Sequence, residues 1–141
     1  MAALRAAEDC GGLVAALRSG DAPTKAAAAL ALQGLTADNA DNRVAAARAG
    51  AIEALVQLLR SGDAKGKENA AGALWSLAGN DDNEVAIVRA GAIEPLVQLL
   101  RSGDAEGKTS AAGALFNLTF CEEGRREVEQ HGYTRAQLAA M

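Results

Sequence analysis

Aromatic residues and proline are scarce in this sequence, and their scarcity limits the fold. Aromatic residues make up 3% of the chain although 50% of it is hydrophobic, and alanine dominates that hydrophobic half. β-Sheets favour β-branched and aromatic side chains, whereas alanine is the strongest helix former. With 2 prolines in 141 residues, little interrupts helices from within. The composition predicts an all-α protein.

A basic surplus and long apolar runs are also missing. The formal net charge is −4, whereas a domain that binds phosphate backbones normally has a basic face, so we expect no nucleic-acid partner. There is no Lys/Arg cluster on an amphipathic helix and no run of the roughly 18 apolar residues that a membrane span needs, so we expect no membrane partner. Glu8 and Asp9 interrupt the N-terminal segment before a signal-peptide core develops, which predicts a cytoplasmic or nuclear location.

Signals for metal binding or catalysis are lacking too. Cys10 and Cys121 lie far apart, as expected for free thiols in a reducing compartment. His131 is the single histidine and has no neighbouring cysteine or carboxylate cluster. There is no Ser–His or Cys–His spacing and no glycine-rich loop between a strand and a helix. We therefore expect no enzyme activity, no cofactor and no bound metal.

The informative feature is an internal repeat. Arg60-Ser61-Gly62-Asp63 returns 41 residues later as Arg101-Ser102-Gly103-Asp104, and 27 of 37 positions are identical between residues 42–78 and 83–119. An earlier copy begins at Arg18, 42 residues before Arg60, and its extra residue fits in the loop at residues 38–41. Such a unit buries its apolar faces only by stacking on its neighbours.

This repeat divides the chain into one domain of similar units. We predict residues 1–41 as a first unit with a cap-like N-terminus, 42–82 and 83–122 as full units, and 123–141 as a partial unit or C-terminal cap. Residues 1–12 resemble degenerate first and second helices of the repeat.

Each unit is predicted to contain three helices. In residues 83–122, Asn83 would cap a first helix over Glu84–Ala90, with Asn42 in the same role one unit earlier. Gly91 (Gly50 in the earlier unit) would supply a sharp turn. A second helix over Ala92–Arg101 would end at Gly103, and Asp104 would cap a third over Glu106–Thr119.

The residues of the second and third helices resemble the armadillo repeat family. Residues 91–100 are similar to its second helix and residues 111–119 to its third, and residues 107–118 are especially similar to the repeats of plant-type U-box ubiquitin ligases and to β-catenin-like repeats. The resemblance implies a right-handed α-α superhelix, the armadillo solenoid. It also implies that successive third helices line a concave groove that holds an extended peptide or a partner's helix.

The resemblance also suggests where such a groove would lie. In the importin-α branch, a Trp and an Asn four residues later form ladders along the third helices. Those positions here hold Leu30, Gly72 and Gly113 for Trp and Gly34, Ser76 and Asn117 for Asn. The Trp ladder is thus absent and Asn117 alone remains of the Asn ladder, which argues against recognition of nuclear-localisation signals in the importin manner.

Seven residues are candidates for this groove. They are Gln33, Gly72, Trp75, Ser76, Gly113, Phe116 and Asn117. Trp75 and Phe116 would either anchor a partner or pack between third helices. Asn117 would bond either a peptide backbone or a neighbouring helix. Gly72 and Gly113 cost about 1 kcal/mol each within a helix, which indicates close packing or a floor kept clear for a ligand.

Two functions follow from these patterns. The first is an interaction scaffold that binds an extended peptide or partner domain in the groove. The alternative is a structural segment of a larger armadillo protein, whose repeats stack or oligomerise without a peptide ligand. Uncapped repeat ends would then let two chains pair as a homodimer.

Overall fold

The chain forms a continuous series of helices. The computed structural model describes the backbone of residues 2–141 and the side chains from Asp9 onward. Within that part the helices are α1 (Ala2–Ser19), α2 (Ala22–Thr36), α3 (Ala40–Arg48), α4 (Ala51–Ser61), α5 (Ala64–Leu77), α6 (Asp81–Arg89), α7 (Ile93–Ser102), α8 (Ala105–Leu118), α9 (Glu122–Gln130) and α10 (Arg135–Ala139). The predicted all-α fold is confirmed. None of these helices has the length and apolar character to cross a bilayer.

The helices recur as a triplet, with α3, α4 and α5 followed by α6, α7 and α8. The three third helices α2, α5 and α8 pack side by side, and α4 and α7 each pack against the third helix that follows them. Copies in the sequence are therefore successive layers of one core.

Leucine and isoleucine side chains fill the space between the layers. The fully buried ones include Leu55, Leu59, Leu74, Leu77, Ile93, Leu96, Leu115 and Leu118. Burial of each stabilises the fold by about 1.5–3 kcal/mol. Since the buried residues belong to a single cluster that runs from α1 to α10, no layer has a core of its own.

A glycine in the left-handed region separates the first helix of each triplet from the second, and another separates α9 from α10. The φ angles are 93° at Gly50, 85° at Gly91 and 93° at Gly132. A side chain is strained in this conformation. The predicted sharp turn is confirmed at Gly50 and Gly91.

The predicted cap of the first helices was wrong by three residues. Asn80 and Asn39, not Asn83 and Asn42, are the N-caps, and each accepts a 2.9 Å hydrogen bond from the backbone three residues later. Asn83 lies in the first turn, where its amide donates to the carbonyl of Leu77 (3.1 Å). The sequence has two asparagines, three residues apart, near the start of each of these helices. The later one instead donates a hydrogen bond to a carbonyl at the end of the preceding helix.

The other element boundaries differ from prediction by one residue at each end, since α7 is Ile93–Ser102 and α8 is Ala105–Leu118. Asp104 caps α8 as predicted, through a 2.8 Å bond from the Gly107 amide. At the N-terminus, residues 2–12 do not form two degenerate helices but belong to the continuous helix α1. The additional residue of the first copy is accommodated at Asp38, which has a φ of 56° in the loop after α2.

The last two helices close over the end of α8. Arg135 donates to Oγ1 (2.9 Å) and to the carbonyl (2.7 Å) of Thr119, and its guanidinium lies 4.2 Å from the ring centroid of Phe120. Leu138 is buried in the common core, and Thr134 starts α10 with a capping box that includes Gln137.

Candidate partner-binding groove

The third helices border a depression of about 390 Å³. Its lining comes from α2, α3, α5 and α8 and from the loops after α2 and α5. The lining residues are Gln33, Ala37, Asp38, Arg43, Gly72, Trp75, Ser76, Gly79 and Asn117. Five of the seven candidate residues therefore come together here, while Gly113 and Phe116 are not among the lining residues.

The indole of Trp75 lies over Gly113 of the next third helix. A Cβ added at Gly113 would meet Cδ2 of Trp75 at 2.5 Å and Cζ2 at 2.7 Å. Gly113 is thus needed for close packing. Trp75 packs between third helices, one of the two alternatives of the sequence analysis, and nevertheless remains 39% exposed. The ring packs against α8 at Gly113, and its exposed part borders the depression.

The same relationship recurs one layer earlier, between Gln33 and Gly72. A Cβ at Gly72 would lie 2.6 Å from Oε1 of Gln33. A glycine on each of α5 and α8 therefore receives a side chain from the preceding third helix. Gly72 and Gly113 occupy positions of the missing Trp ladder. The aromatic ring at Gly113 is instead that of Trp75, which comes from the neighbouring third helix α5.

Hydrogen bonds also join adjacent third helices. Nδ2 of Asn117 donates to the carbonyl of Trp75 (3.2 Å), and the hydroxyls of Thr36 and Ser76 are 2.9 Å apart. Asn117 thus bonds the preceding layer, one of the two alternatives considered above. Among the described residues, its Oδ1 accepts no hydrogen bond.

Phe116 occupies the position of Trp75 in the next layer but has different surroundings. It is half-buried against the core, and its ring meets Phe120 edge-on, with centroids 5.2 Å apart. Phe116 therefore supports the end of α8 and lies outside the depression.

Asp38 and Arg43 line the depression but were not predicted. Nε of Arg43 donates to the carbonyl of Thr36 at the end of α2 (3.0 Å), and its guanidinium lies against Gly79. The one-residue difference in length between copies indicated the loop that contains Asp38. The periodicity of the third helices could not show that this loop and a first helix, α3, reach the groove.

The single acidic residue of α5 is Glu68. Glu68 lies one turn before Gly72, and burial, together with Glu106 of α8, raises the pKa of Glu68. Its ion pair with Lys65 (3.5 Å) opposes this shift.

No grouping of three or more His, Cys, Asp or Glu side chains in the described residues could hold a metal ion. Cys10 and Cys121 are free, and burial, followed by the charge of Asp9, raises the pKa of the Cys10 thiol.

These features define an all-helical repeat scaffold whose layers are joined through their third helices. The Armadillo/beta-catenin-like repeat family model matches residues 39–79 and 80–120. The chain belongs to this family, which confirms the predicted resemblance. None of the curated proteins compared with it matches.

Solved structures agree with this assignment. An engineered protein is 37% identical over 88% of this chain and 51% of its own length, with a TM-score of 0.82. A designed armadillo repeat protein in complex with the peptide (KR)4 is 25% identical over 86% of this chain and 52% of its own, with a TM-score of 0.79. Computationally designed armadillo repeat proteins for modular peptide recognition are 28% identical over 86% and 52%, with a TM-score of 0.79. The chain thus spans about half the length of these proteins.

Proposed function

We propose that the chain is a protein-interaction scaffold that binds an extended peptide or partner segment in the groove along α2, α5 and α8. The observation that carries this proposal is the half-exposed indole of Trp75, held in place by its contact with Gly113. Rigid, partly exposed aromatic rings are the residue type most enriched at binding hot spots. A binding role also fits the lining of the depression, which combines an aromatic ring and amide groups with the charged side chains of Asp38 and Arg43.

Asn117 and Gln33 complete the proposed site. An Asn side chain has an acceptor for a backbone N–H and a second donor hydrogen, so it would hold a peptide backbone without selecting its side chains. A designed armadillo repeat protein of similar structure is in complex with the peptide (KR)4, which supports peptide binding as the proposed role. Since Gly113 positions Trp75, it belongs to the site indirectly, whereas Phe116 is proposed to stabilise its edge.

The charge of the surroundings leads us to propose a cationic ligand. Asp38 and Arg43 both line the depression, Glu68 lies one turn before Gly72 on α5, and the chain as a whole has a net charge of −4. We expect a labelled (KR)4 peptide to bind more tightly than an acidic peptide of the same length, with a difference that decreases at high salt.

The direct test is fluorescence anisotropy of the labelled (KR)4 peptide with the wild-type chain and two variants. Trp75→Ala removes the proposed anchor, and we expect affinity to fall by about 30-fold, as for a hot-spot residue of about 2 kcal/mol. Tyr133→Ala is the matched aromatic control, since Tyr133 lies at the C-terminal end and contacts Arg101. Equal affinity of wild type and Trp75→Ala, or an equal loss in both variants, would contradict the proposal.

The division into units at residues 41, 82 and 122 stays a prediction. We propose it with one modification that the helices suggest: a unit begins at the caps Asn39 and Asn80, three residues before the predicted starts.

A further inference from the structure

The guanidinium of Arg43 is held by the fold, while its terminal N–H groups have no acceptor. Arg43 belongs to α3 and lines the depression beside Trp75. Its Nε donates to the carbonyl of Thr36 (3.0 Å), and its guanidinium lies against Gly79, which lines the same depression. In the part of the chain that the structure describes, Nη1 and Nη2 of Arg43 donate no hydrogen bond, and the residue forms no salt bridge. The guanidinium therefore offers unused donors at the depression.

Arg135 is a second arginine at a comparable place, and it differs in this respect. Thr119 corresponds to Thr36 in the repeat, and both stand at the C-terminal end of a third helix. Arg135 donates to Thr119 through Nε and through Nη2. Arg43 donates to Thr36 through Nε alone, so its position is fixed from one side and its Nη groups are left to another acceptor.

The repeat does not require a cation at the position of Arg43. Glu84 occupies the corresponding position on α6, 41 residues later, and the same triplet of helices forms around it. The arginines that contact the turn of the next layer, by contrast, recur in every copy as Arg18, Arg60 and Arg101. The fold thus accepts either sign of charge where Arg43 stands, which favours a role for Arg43 in binding.

The chemistry of the depression favours a carboxylate as the acceptor. A planar guanidinium matches the two oxygens of a carboxylate or a phosphate, and a guanidinium that is already held loses little freedom on binding. Asp38 lines the same depression and is exposed. Its negative charge opposes a phosphate, which carries up to two charges, more than it opposes a carboxylate, which carries one.

We propose that Arg43 binds the carboxylate of an aspartate or glutamate side chain in the segment that occupies the groove. This inference rests on the proposed function, because it concerns one residue of the same ligand. The net charge of the chain favours a basic segment as a whole, whereas Arg43 selects an acidic residue at one position of it. Since the groove continues along α2, α5 and α8, the ligand passes the depression and presents a side chain there, with its methylene groups against Trp75.

Two labelled peptides that differ in one residue test the proposal. Both are (KR)4 with an amidated C-terminus, and one central lysine is replaced by Glu in the first and by Gln in the second. Fluorescence anisotropy at a salt concentration that screens long-range attraction gives the ratio of the two Kd values. We expect the wild type to bind the Glu peptide about fivefold more tightly, as for a charge-assisted hydrogen-bonded pair.

Three variants connect this ratio to the depression. In Arg43→Gln the ratio should fall to about one, and in Asp38→Asn it should rise because a neighbouring negative charge is removed. Arg48→Gln, exposed on the same helix, is the matched control and should keep the wild-type ratio. Because each ratio is taken within one variant, a general loss of stability cancels. Equal Kd values in the wild type, tighter binding of the Gln peptide, or an unchanged ratio in Arg43→Gln overturns the proposal.

An NMR titration without peptide separates this inference from the proposed function. The ¹⁵N-labelled chain is titrated with sodium acetate, and sodium chloride at equal ionic strength is the reference. We expect acetate to shift the Nε–H signal of Arg43 saturably, while that of Arg48 changes as in chloride. Absence of an acetate-specific shift at Arg43, or equal shifts at both arginines, overturns the proposal. If acetate shifts Arg43 but no (KR)4-derived peptide binds, the proposed groove function fails and the carboxylate site stands.

Discussion

Nη2 of Arg60 donates a 3.2 Å hydrogen bond to the carbonyl of Gly91, at the left-handed turn of the following layer. Arg101 repeats the contact with the carbonyl of His131 (2.9 Å), and the guanidinium of Arg18 lies against Gly50. The recurring Arg-Ser-Gly-Asp segment thus has a structural role. Its arginine joins successive layers, its glycine ends the second helix, and its aspartate caps the third.

Arg60→Ala is expected to destabilise the chain by about 1 kcal/mol, because the Gly91 carbonyl loses a charged donor. Thermal unfolding followed by circular dichroism should show Tm lowered by about 2–4 °C for a chain of this size. Arg48→Ala is the control: Arg48 is exposed at the end of α3, and its loss should change Tm less. An equal effect of both variants would contradict a specific link between layers.

Three glycine-to-alanine variants should differ in a graded way. A Cβ at Gly12 meets nothing within 4 Å, at Gly72 it meets the flexible amide of Gln33, and at Gly113 it meets the rigid ring of Trp75. Removal of a helical glycine gains up to about 1 kcal/mol, while forced overpacking costs about 1–3 kcal/mol. We expect Gly12→Ala to stabilise, Gly72→Ala to be near neutral, and Gly113→Ala to destabilise.

Fluorescence supplies a second measurement for this series, since the sequence has 1 Trp. Gly113→Ala should shift the emission of Trp75 to longer wavelength because the indole is lifted into solvent, whereas Gly12→Ala should leave the spectrum unchanged. A stabilised Gly113→Ala variant with unaltered emission would show that the ring does not lie on this glycine.

Glu68 gives the stability a pH dependence. Burial, with Glu106 nearby, raises the pKa of this carboxyl in the folded chain. The folded state therefore takes up a proton more readily than the unfolded one, and the cost of ionised Glu68 is present above the folded pKa and disappears as pH falls through it. Glu68→Gln should raise Tm by about 1 °C at pH 7.5, as expected for relief of a like-charge contact, and have no effect near pH 4.

An exposed carboxylate is the control for this pH effect. Glu53→Gln, in the first turn of α4, should not raise Tm at either pH, because a negative charge is favourable there. Should Glu68→Gln lower Tm at pH 7.5, the ion pair with Lys65 would outweigh the burial.

Much of the fold could be predicted because the same residue pattern recurs in several copies of the repeat. Two copies place Gly50 and Gly91 at the same turn, and three place Asp21, Asp63 and Asp104 at the same cap. The caps of the first helices could not be predicted as well. Asn80 and Asn83 both suit the role, and the choice depends on a carbonyl at the end of another helix.

The candidate groove was predictable in part for a related reason. The resemblance to armadillo repeats put Trp75 and Ser76 at the groove, and one-turn spacing put Ser76 on the face of Gly72, but neither shows which neighbour fills a glycine. That the ring over Gly113 comes from Trp75 follows from the distance and angle between α5 and α8. Asp38 and Arg43 reach the groove from a loop and another helix, which no periodicity within α2, α5 or α8 could indicate.

Arg135→Ala should release α10 from α8. The variant loses both bonds to Thr119 and the contact with the Phe120 ring. We expect hydrogen exchange at the amides of Leu138 and Ala140 to accelerate, while exchange in α5 stays as in the wild type. Arg126→Ala, which removes an exposed pair with Glu122, should leave exchange in α10 unchanged.

The most direct test of the groove is a nitrogen–proton NMR titration of the ¹⁵N-labelled chain with the (KR)4 peptide. We predict saturable shifts of the Trp75 indole N–H and of the backbone amides at Ser76 and Asn117, with little change in α4 and α7. Shifts concentrated in α4 and α7, or no shift of the Trp75 indole at saturation, would contradict binding along the third helices.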